Sequence, residues 1–526
     1  NSIIKEENTV KKVISVLLSV IISLSSAVCA AAYDGEKNTP FILVAGMNVM
    51  PLYENDNQVW PMKRDTVVSL AKQLVYPISE LIKTKNYKAF GDKALPIVYS
   101  AVSKLECDEN GDSVYNITAP AYDKNMSNYP ELYKDENKDE LGIVRAACEK
   151  YGAENVYFYN YDWRLDPLEH ADGLNTMIET ALKKHNANRV TLACCSMGGT
   201  VVTSYLYKYG AKNVKNILML STAFQGVEAV GAMLSGELYI DKDALMNRVG
   251  DLGKTDICSL FYNILMIAVD TAGLGDRAED ICTDILNNLK DEIYSEILKK
   301  VFGTMPGIFD LTAFEKYENA KSFMLDSSVN AKMISRCDEY IYCVQSKAKD
   351  LLEGAIDDGA NVYIVCQYNL QGLPVYSHVS SNTDLLIDVK YASGGAVSSE
   401  LDSVLPDDYV QAVGDGHDHI SKDRMIDASS CMFPEYTFFI KNQAHVDYNV
   451  GDTTDFIFYL ADSDKQLTVF DSDYTQFMYY NANKNTLTPL NKNSSKSFKN
   501  AIINILKKLA EIFKTIVSIF KDSFLK

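Results

Sequence analysis

The sequence has 526 residues and a mass of 58.7 kDa, which is enough for one large domain or for two to three ordinary ones. Hydrophobic residues make up 47% of it and charged residues 23%, the composition of a globular protein with a sizeable core. The formal net charge of −19 argues against a nucleic-acid partner, because such binding requires a basic surface.

The first 32 residues have the pattern of a secretory signal peptide. Lys11 and Lys12 precede a short apolar run from Val13 to Leu24, and small residues then continue to Ala32. The alternative is a single membrane anchor, but the apolar run is short for a membrane span. We therefore expect an exported protein that is secreted or held at the cell surface.

Residues 491–526 combine a polar linker with a basic amphipathic helix. Apolar residues repeat at helical spacing from Ser497 to Lys526, and lysines occupy the other side of the predicted helix. In an acidic chain, this pattern predicts a segment that lies on a membrane or another anionic surface. The alternative is a helix that packs on its own domain or on a partner.

The strongest chemical signal is a serine that stands between a predicted strand and a predicted helix. The apolar run Val190–Cys195 leads to Ser196, and a helical pattern opens at Thr200 after two glycines. This order is typical of the nucleophile elbow, here in the variant Cys194-Cys-Ser-Met-Gly198 of the G-x-S-x-G pattern. Ser196 is the candidate nucleophile because the two cysteines do not occupy the tip of the turn.

A second predicted strand supplies a candidate for the oxyanion hole. The segment Thr39–Met50 gives a buried strand that ends at Gly46, where the backbone can approach another chain segment closely. In hydrolases with a nucleophile elbow, a loop of this kind supplies one backbone N–H group. We expect the N–H groups of Met47 and Met197 to form the oxyanion hole.

Several segments in chain order give the sequence a family resemblance. Tyr161-Asp-Trp-Arg164 precedes a predicted helix, a strand and the serine elbow, and Leu220–Gly226 follows the elbow. With these segments, the chain from about residue 38 to 450 resembles the lecithin:cholesterol acyltransferase and lysosomal phospholipase family of α/β-hydrolases. It departs from that family at Cys195, where the family usually has histidine.

The resemblance implies an α/β-hydrolase fold over residues 38–490, with a mostly parallel sheet and helices on both faces. Residues from about 228 to 359 are helical in pattern and are expected to form a cap over the active site. Residues from about 455 to 489 are strand-like with polar turns, which predicts a small β addition to the domain.

A serine elbow needs a histidine base, which follows the acid in the chain order of this fold. Of the six histidines, three follow both the elbow and a suitable acid: His417, His419 and His445. His445 comes just after a predicted strand and matches the histidine of the family. His417 and His419 are the alternatives, but they stand too close in sequence to the candidate acid.

The candidate acid is Asp415, which lies on a predicted loop upstream of His445. The motif Gly414-Asp-Gly416 matches the acid segment of the family, and Asp418 is the nearest alternative. An acid in this place would fix the tautomer of the imidazole and stabilise the imidazolium. The predicted triad is Ser196, Asp415 and His445.

This triad predicts acyl transfer through a covalent acyl-serine, with no metal ion and no cofactor. The resemblance implies a lipid ester as the substrate, either a phospholipid or an acylglycerol, and either hydrolysis or O-acyl transfer. Two different functions stay open. One is an esterase that acts on soluble or polysaccharide esters, and the second is a non-catalytic surface-binding protein on a hydrolase scaffold.

Overall fold

The computed structural model describes residues 39–134, 141–239 and 278–491, apart from residues 374, 378–380, 402 and 449–450. The predicted signal peptide and the predicted amphipathic helix lie outside the described residues.

The described residues contain one large sheet and three small ones. The strands are, in chain order, β1 (Phe41–Val44), β2 (Leu52–Glu54), β3 (Asn57–Trp60), β4 (Ile117–Thr118), β5 (Val156–Tyr159), β6 (Val190–Cys195), β7 (Val214–Leu220), β8 (Asn361–Tyr368), β9 (Leu370–Gln371), β10 (Asn382–Thr383), β11 (Val397–Ser398), β12 (Ile426–Asp427), β13 (Thr437–Lys441), β14 (Phe477–Asn481) and β15 (Thr486–Pro489). The small sheets are β3-β2-β4, β10-β9 and β11-β12.

The large sheet has eight strands in the order β15-β14-β13-β8-β7-β6-β1-β5. Its strands run parallel, except that β15 is antiparallel to β14. Every residue of β1, β6, β8 and β13 is buried, which is typical of parallel strands covered on both faces. The predicted mostly parallel sheet is confirmed. Its parallel strands place the carboxyl ends of β6, β7, β8 and β13 at one edge.

Helices pack around this sheet. The α-helices in the described residues are Arg64–Thr84, Tyr87–Val102, Pro130–Tyr133, Gly142–Tyr151, Pro167–His185, Gly198–Tyr209, Glu228–Leu234, Ala278–Asn288, Lys290–Ile293, Pro306–Phe309, Phe314–Met324, Ala331–Glu339, Ala348–Asp357, Val389–Ala392 and Asp452–Ala461. Two π-helices span Tyr294–Phe302 and Tyr340–Val344, and 3₁₀ turns span Ser103–Leu105, Met126–Asn128, Gln345–Lys347 and Pro434–Tyr436.

The helix Pro167–His185 illustrates how local sequence sets a boundary. Asp166 caps its first turn by accepting the N–H of Leu168 at 2.8 Å, and Pro167 needs no hydrogen-bond acceptor at the first helical position. Asn186 ends the helix in the left-handed conformation. This helix therefore begins three residues after the end of the Tyr161–Arg164 segment.

The secondary-structure elements described between β7 and β8 are all helices, as the sequence pattern predicts for this region. One part of it, the segment around Gly307, lies beside the residue that follows Ser196. A Cβ atom on Gly307 would be 2.2 Å from the carbonyl oxygen of Trp163 and 2.9 Å from Cε of Met197. A larger residue could not be placed there without moving the backbone of Trp163.

The prediction of strands over residues 455–489 is wrong for the first part of this range. Residues Asp452–Ala461 form an α-helix, because Thr453, Phe456, Ile457 and Leu460 recur at helical spacing and are all buried. The aromatic and β-branched residues favour a strand, but burial of one helical face outweighs that preference. The later part does add strands, since β14 and β15 extend the large sheet beyond β13.

Candidate active site

Ser196 lies at the tip of a tight turn between β6 and the helix Gly198–Tyr209. Its φ angle is 52°, a left-handed conformation that costs energy for a residue with a Cβ atom. Its backbone is held on both sides, because its N–H donates to Leu220 O at 3.2 Å and its carbonyl accepts the N–H of Ala223 at 3.0 Å. The structure thus contains the strand, strained turn and helix that a nucleophile elbow requires.

Two glycines allow the backbones to approach each other around this turn. A Cβ atom on Gly198 would lie 2.7 Å from the carbonyl oxygen of Val44, so the helix could not begin so close to β1. A Cβ atom on Gly46 would lie 2.9 Å from Cβ of Ser196. The small residues that the sequence places here are therefore a steric requirement of the turn.

The two cysteines before Ser196 are poor nucleophiles. Both are buried, and burial raises the pKa of the Cys195 thiol to about 12. Burial also raises the pKa of the Cys194 thiol well above its ordinary value. Since the thiolate is the reactive form of cysteine, these side chains act as small apolar residues behind the turn.

His445 is paired with Asp384. Nδ1 of His445 donates to Oδ2 of Asp384 at 2.6 Å, and the backbone N–H of His445 donates to the carbonyl oxygen of Asp384 at 2.8 Å. The second carboxylate oxygen of Asp384 accepts the N–H groups of Leu386 at 3.0 Å and Ile387 at 2.8 Å. A carboxylate held in this way fixes the imidazole with Nε2 as the remaining acceptor, which is the orientation that a general base needs.

The structure corrects the expected pairing of Asp415 with His445. Oδ2 of Asp415 lies 2.8 Å from Nε2 of His419, and Nδ1 of His419 lies 3.0 Å from Oε1 of Gln476. The amide of Gln476 donates to the carbonyl oxygen of Thr437, where β13 begins. His445 follows the far end of β13, so Asp415 lies at the opposite edge of the sheet.

Asp418 and His417 have partners of their own on the loop of Asp415. Asp418 accepts the N–H of Ile420 at 3.1 Å, and the ring of His417 stacks on Phe470 with 4.1 Å between the ring centroids. The residue that sequence reasoning missed is Asp384. It satisfies the chain order Ser, Asp, His as well as Asp415 does, but no local motif distinguishes it. Only its place after β8 in the folded sheet does so.

The loops that carry Asp384 and His445 are tied to each other by asparagines. Asn369 follows β8 and Asn442 follows β13, both in the left-handed conformation, and the Asn369 amide donates to Oδ1 of Asn442 at 2.6 Å. The backbone N–H of Asn369 donates to Oδ1 of Asn382 at 2.7 Å, two residues before Asp384. These bonds hold Asp384 and His445 at the carboxyl edge of the sheet.

Ser196 lies at the same edge, since β6 ends there. Among the described residues, no hydrogen bond joins Oγ of Ser196 to His445. Catalytic hydrogen bonds are often long in the absence of substrate and shorten when it binds. The loop of His445 does reach toward the elbow, because the hydroxyl of Tyr448 contacts Oγ of Ser221 after β7, the strand next to β6.

The predicted oxyanion donors flank Ser196. Met197 directly precedes the helix Gly198–Tyr209, and Met47 follows Gly46, which approaches Ser196 closely. Within the residues that the structure describes, neither N–H group donates to a protein acceptor. Asn48 accepts a hydrogen bond from the indole of Trp60, which holds this loop. Their role in an oxyanion hole stays a prediction.

The Tyr161–Arg164 segment is a buried support beside the site. The guanidinium of Arg164 is fully buried and binds both carboxylate oxygens of Asp162, at 3.0 and 2.6 Å. It also donates to the carbonyl oxygen of Leu105 at 2.9 Å and to the Ser113 hydroxyl at 3.0 Å. This geometry satisfies the buried charges. It also fixes the backbone of Arg164, whose carbonyl accepts the N–H of Gly307 at 3.0 Å, next to Met197.

Metal ligation and membrane spans can be assessed for the described part of the chain. That part contains no group of three or more histidine, cysteine, aspartate or glutamate side chains arranged to hold a metal ion. None of its helices is long and apolar enough to cross a membrane. Cys337 and Cys343 are both free cysteines.

The sheet topology and the strand-turn-helix around Ser196 define an α/β-hydrolase fold. The family model for lecithin:cholesterol acyltransferase matches residues 144–249, which include both the Tyr161–Arg164 segment and the elbow. Phospholipase A(1) LCAT3 of Arabidopsis thaliana is 25% identical over 143 residues, which cover 26% of this chain and 31% of that relative. The predicted resemblance to the lecithin:cholesterol acyltransferase family is confirmed by these two matches.

A solved structure is similar to part of the chain. The match is to a chain in the crystal structure of the Tle4–Tli4 complex. It covers 63% of the present chain and 75% of the matched chain, with 11% sequence identity and a TM-score of 0.26.

Asp388 lies four residues after Asp384 and is a buried carboxyl group. Its raised pKa predicts that the stability of the protein depends on pH. Burial raises its pKa to about 7, and Glu228 nearby adds to the effect. The folded state therefore favours the protonated form of Asp388. The stability that this group contributes is fully present below about pH 4 and is lost as the pH rises to 7. Across that range, we expect the free energy of unfolding to fall by about 1.4 kcal/mol per pH unit from this group.

The measurement is the melting temperature of wild type and Asp388→Asn between pH 5 and 8. The variant is expected to lose less stability with rising pH, because its amide does not ionise. Parallel curves for the two proteins would contradict the prediction.

Proposed function

We propose that this chain is a serine acyl hydrolase or O-acyltransferase that acts on lipid esters. Ser196 is the nucleophile, His445 the base and Asp384 the acid. The observation that carries the proposal is the 2.6 Å bond from His445 Nδ1 to Asp384 Oδ2, on a loop that reaches toward the serine elbow. An acid–histidine pair and a strained serine at one sheet edge are the parts from which this chemistry is built.

In the first half of the reaction, Oγ of Ser196 attacks the ester carbonyl while Nε2 of His445 accepts the hydroxyl proton. Asp384 holds the imidazole and stabilises its positive charge. The N–H groups of Met47 and Met197 stabilise the negative oxygen of the tetrahedral intermediate. His445 then returns the proton to the leaving alcohol, which leaves the acyl group on Ser196.

In the second half, water or an acceptor alcohol attacks the acyl-serine. His445 removes a proton from the attacking hydroxyl and returns it to Oγ of Ser196 as the tetrahedral intermediate breaks down, which releases the free acid or the new ester. The protein is a hydrolase when water attacks and an acyltransferase when an alcohol does. The lipid nature of the substrate is supported by the match to the lecithin:cholesterol acyltransferase family and by a relative named as a phospholipase A(1).

The first test asks whether Ser196 is a reactive nucleophile. Purified protein is treated with a fluorophosphonate probe and analysed by intact mass and peptide mapping. We expect one adduct on Ser196 in wild type, no adduct in Ser196→Ala, and slow labelling in His445→Ala. Ser204→Ala is a suitable control, because Ser204 is buried in the helix after the elbow. A folded wild-type protein without an adduct would favour the non-catalytic binding protein.

The second test concerns the substrate. Wild type and Ser196→Ala are incubated with phosphatidylcholine vesicles, with and without cholesterol or a long-chain alcohol, and the products are identified by mass spectrometry. We expect fatty acid and lysophospholipid from wild type only. An acyl ester of the added alcohol would assign transferase activity. Turnover of soluble short-chain esters without any lipid product would contradict the lipid substrate and favour a soluble esterase.

A further inference from the structure

The turn that presents His445 is strained. Val446, the next residue, has a φ angle of 50°, which is a genuine outlier for a β-branched side chain. Such a conformation persists only where the surrounding structure holds it in place. The contacts that hold this turn therefore also determine where the imidazole of His445 points.

Part of this support is local. The Gln443 side chain donates to the carbonyl oxygen of Asp447 at 2.6 Å, and the Thr454 hydroxyl donates to the carbonyl oxygen of Tyr448 at 2.6 Å. These bonds close the turn on itself and on the start of the helix Asp452–Ala461. They do not connect the turn to the strand that carries Ser196.

The side chain of Tyr448 makes that connection. Its ring is buried, and its hydroxyl contacts Oγ of Ser221, which in turn donates to Oε1 of Gln367. Because the single hydroxyl proton of Ser221 is used for Gln367, the hydroxyl of Tyr448 is the donor to Ser221. Burial raises the pKa of the Tyr448 phenol well above its ordinary value, so the phenol keeps the proton that it donates.

The position of Ser221 gives this contact its significance. Ser221 follows β7, and the N–H of Ser196 donates to Leu220 O, the residue just before Ser221. Tyr448 therefore reaches from the loop after β13 across the end of β8 to the strand that supports the elbow. Its hydroxyl joins the histidine loop to the backbone that fixes the serine.

We infer that Tyr448 is a positioning residue, which sets the place of His445 relative to Ser196 through its hydrogen bond to Ser221. The inference rests on the proposed function. Without the phenol hydroxyl, the local bonds still close the turn, but the link to the strand beside the elbow is lost. The turnover number is then expected to fall while substrate binding is preserved, because a displacement of about 1 Å in a catalytic group costs as much as 100-fold in rate.

The test is Tyr448→Phe, with Tyr363→Phe as the matched control. Tyr363 is also buried and donates to Lys465 O at 3.0 Å, but near the start of β8 rather than at its carboxyl edge. With a short-chain ester, we expect Tyr448→Phe to lower kcat about 10- to 100-fold with KM within twofold of wild type. Fluorophosphonate labelling of Ser196 should slow by a similar factor. The control should keep both rates.

Two further readouts separate positioning from general destabilisation. The downfield proton resonance of the bond between His445 and Asp384 should shift in Tyr448→Phe and stay unchanged in the control. Ser221→Ala removes the same contact from the opposite side and should lower kcat to a similar extent, which keeps the inference testable if Tyr448→Phe does not fold. Equal kcat values in Tyr448→Phe and Tyr363→Phe would overturn it. Wild type without labelling or turnover would contradict the proposed function instead.

Discussion

The Asp384→Asn variant is expected to lose about 10⁴-fold in kcat on a short-chain ester, whereas Asp415→Asn is expected to keep the wild-type rate within a fewfold. The carboxylate of Asp384 accepts a hydrogen bond from Nδ1–H of His445 at 2.6 Å and leaves Nε2 free to accept the proton of Ser196. An asparagine can donate to Nδ1 instead, which stabilises the wrong tautomer and removes the negative charge that supports the imidazolium. The measurement is kcat and KM for both variants, with melting curves to confirm folding.

Asp415→Asn is the matched control because Asp415 forms its own pair with a histidine, at 2.8 Å from His419. The N–H of His417 donates to its carboxylate and, together with His419, lowers the pKa of Asp415 below its ordinary value. Both aspartates lie between Ser196 and His445 in the chain, so the comparison separates spatial position from sequence order. A large loss in Asp415→Asn with a small loss in Asp384→Asn would reverse the assignment of the acid.

The Arg164→Met variant is expected to lose about 3–5 kcal/mol in the free energy of unfolding. The Arg164 side chain is completely buried, and its removal leaves the Asp162 carboxylate without its charged partner. It also leaves the carbonyl oxygen of Leu105 without the donor at 2.9 Å. An unpaired buried charge costs far more than the loss of the attraction alone, because the group can no longer be hydrated.

Urea unfolding of wild type and variant measures this difference. Lys300→Met is the control, since the ion pair of Lys300 with Glu296 is about half exposed and such pairs contribute less than about 1 kcal/mol. The double variant Asp162→Asn/Arg164→Met removes both charges and should be more stable than Arg164→Met alone. Equal losses in Arg164→Met and Lys300→Met would show that the buried pair does not stabilise the Tyr161–Arg164 segment.

The helix Asp452–Ala461 is an element that the local sequence pattern predicted wrongly. Its run of Phe456, Ile457, Phe458 and Tyr459 favours a strand by residue type. The helical spacing of its buried face becomes evident only when the helix is seen in place. The two strands β14 and β15 agree with the predicted β addition, but their attachment to the edge of the large sheet is a tertiary feature.

The serine elbow could be predicted from the local sequence, and the class of fold from the family resemblance. The strand, turn and helix around Ser196 are contiguous, and the steric demand for small residues at Gly46 and Gly198 leaves a visible pattern in the chain. The buried strand that precedes His445 also indicated this histidine as the base. These features are local, so the physical cause and the sequence signal lie in the same few residues.

The choice between the two aspartates depends on the tertiary structure, which places Asp384 against His445. Asp384 and Asp415 both satisfy the chain order, and the motif around Asp415 makes it the more prominent candidate. Asp415 lies near the start of β13 and His445 beyond its end, and a parallel strand separates its two ends by its whole length. The same reason applies to Tyr448, whose partner Ser221 is 227 positions away in sequence and becomes its neighbour only at the carboxyl edge of the sheet.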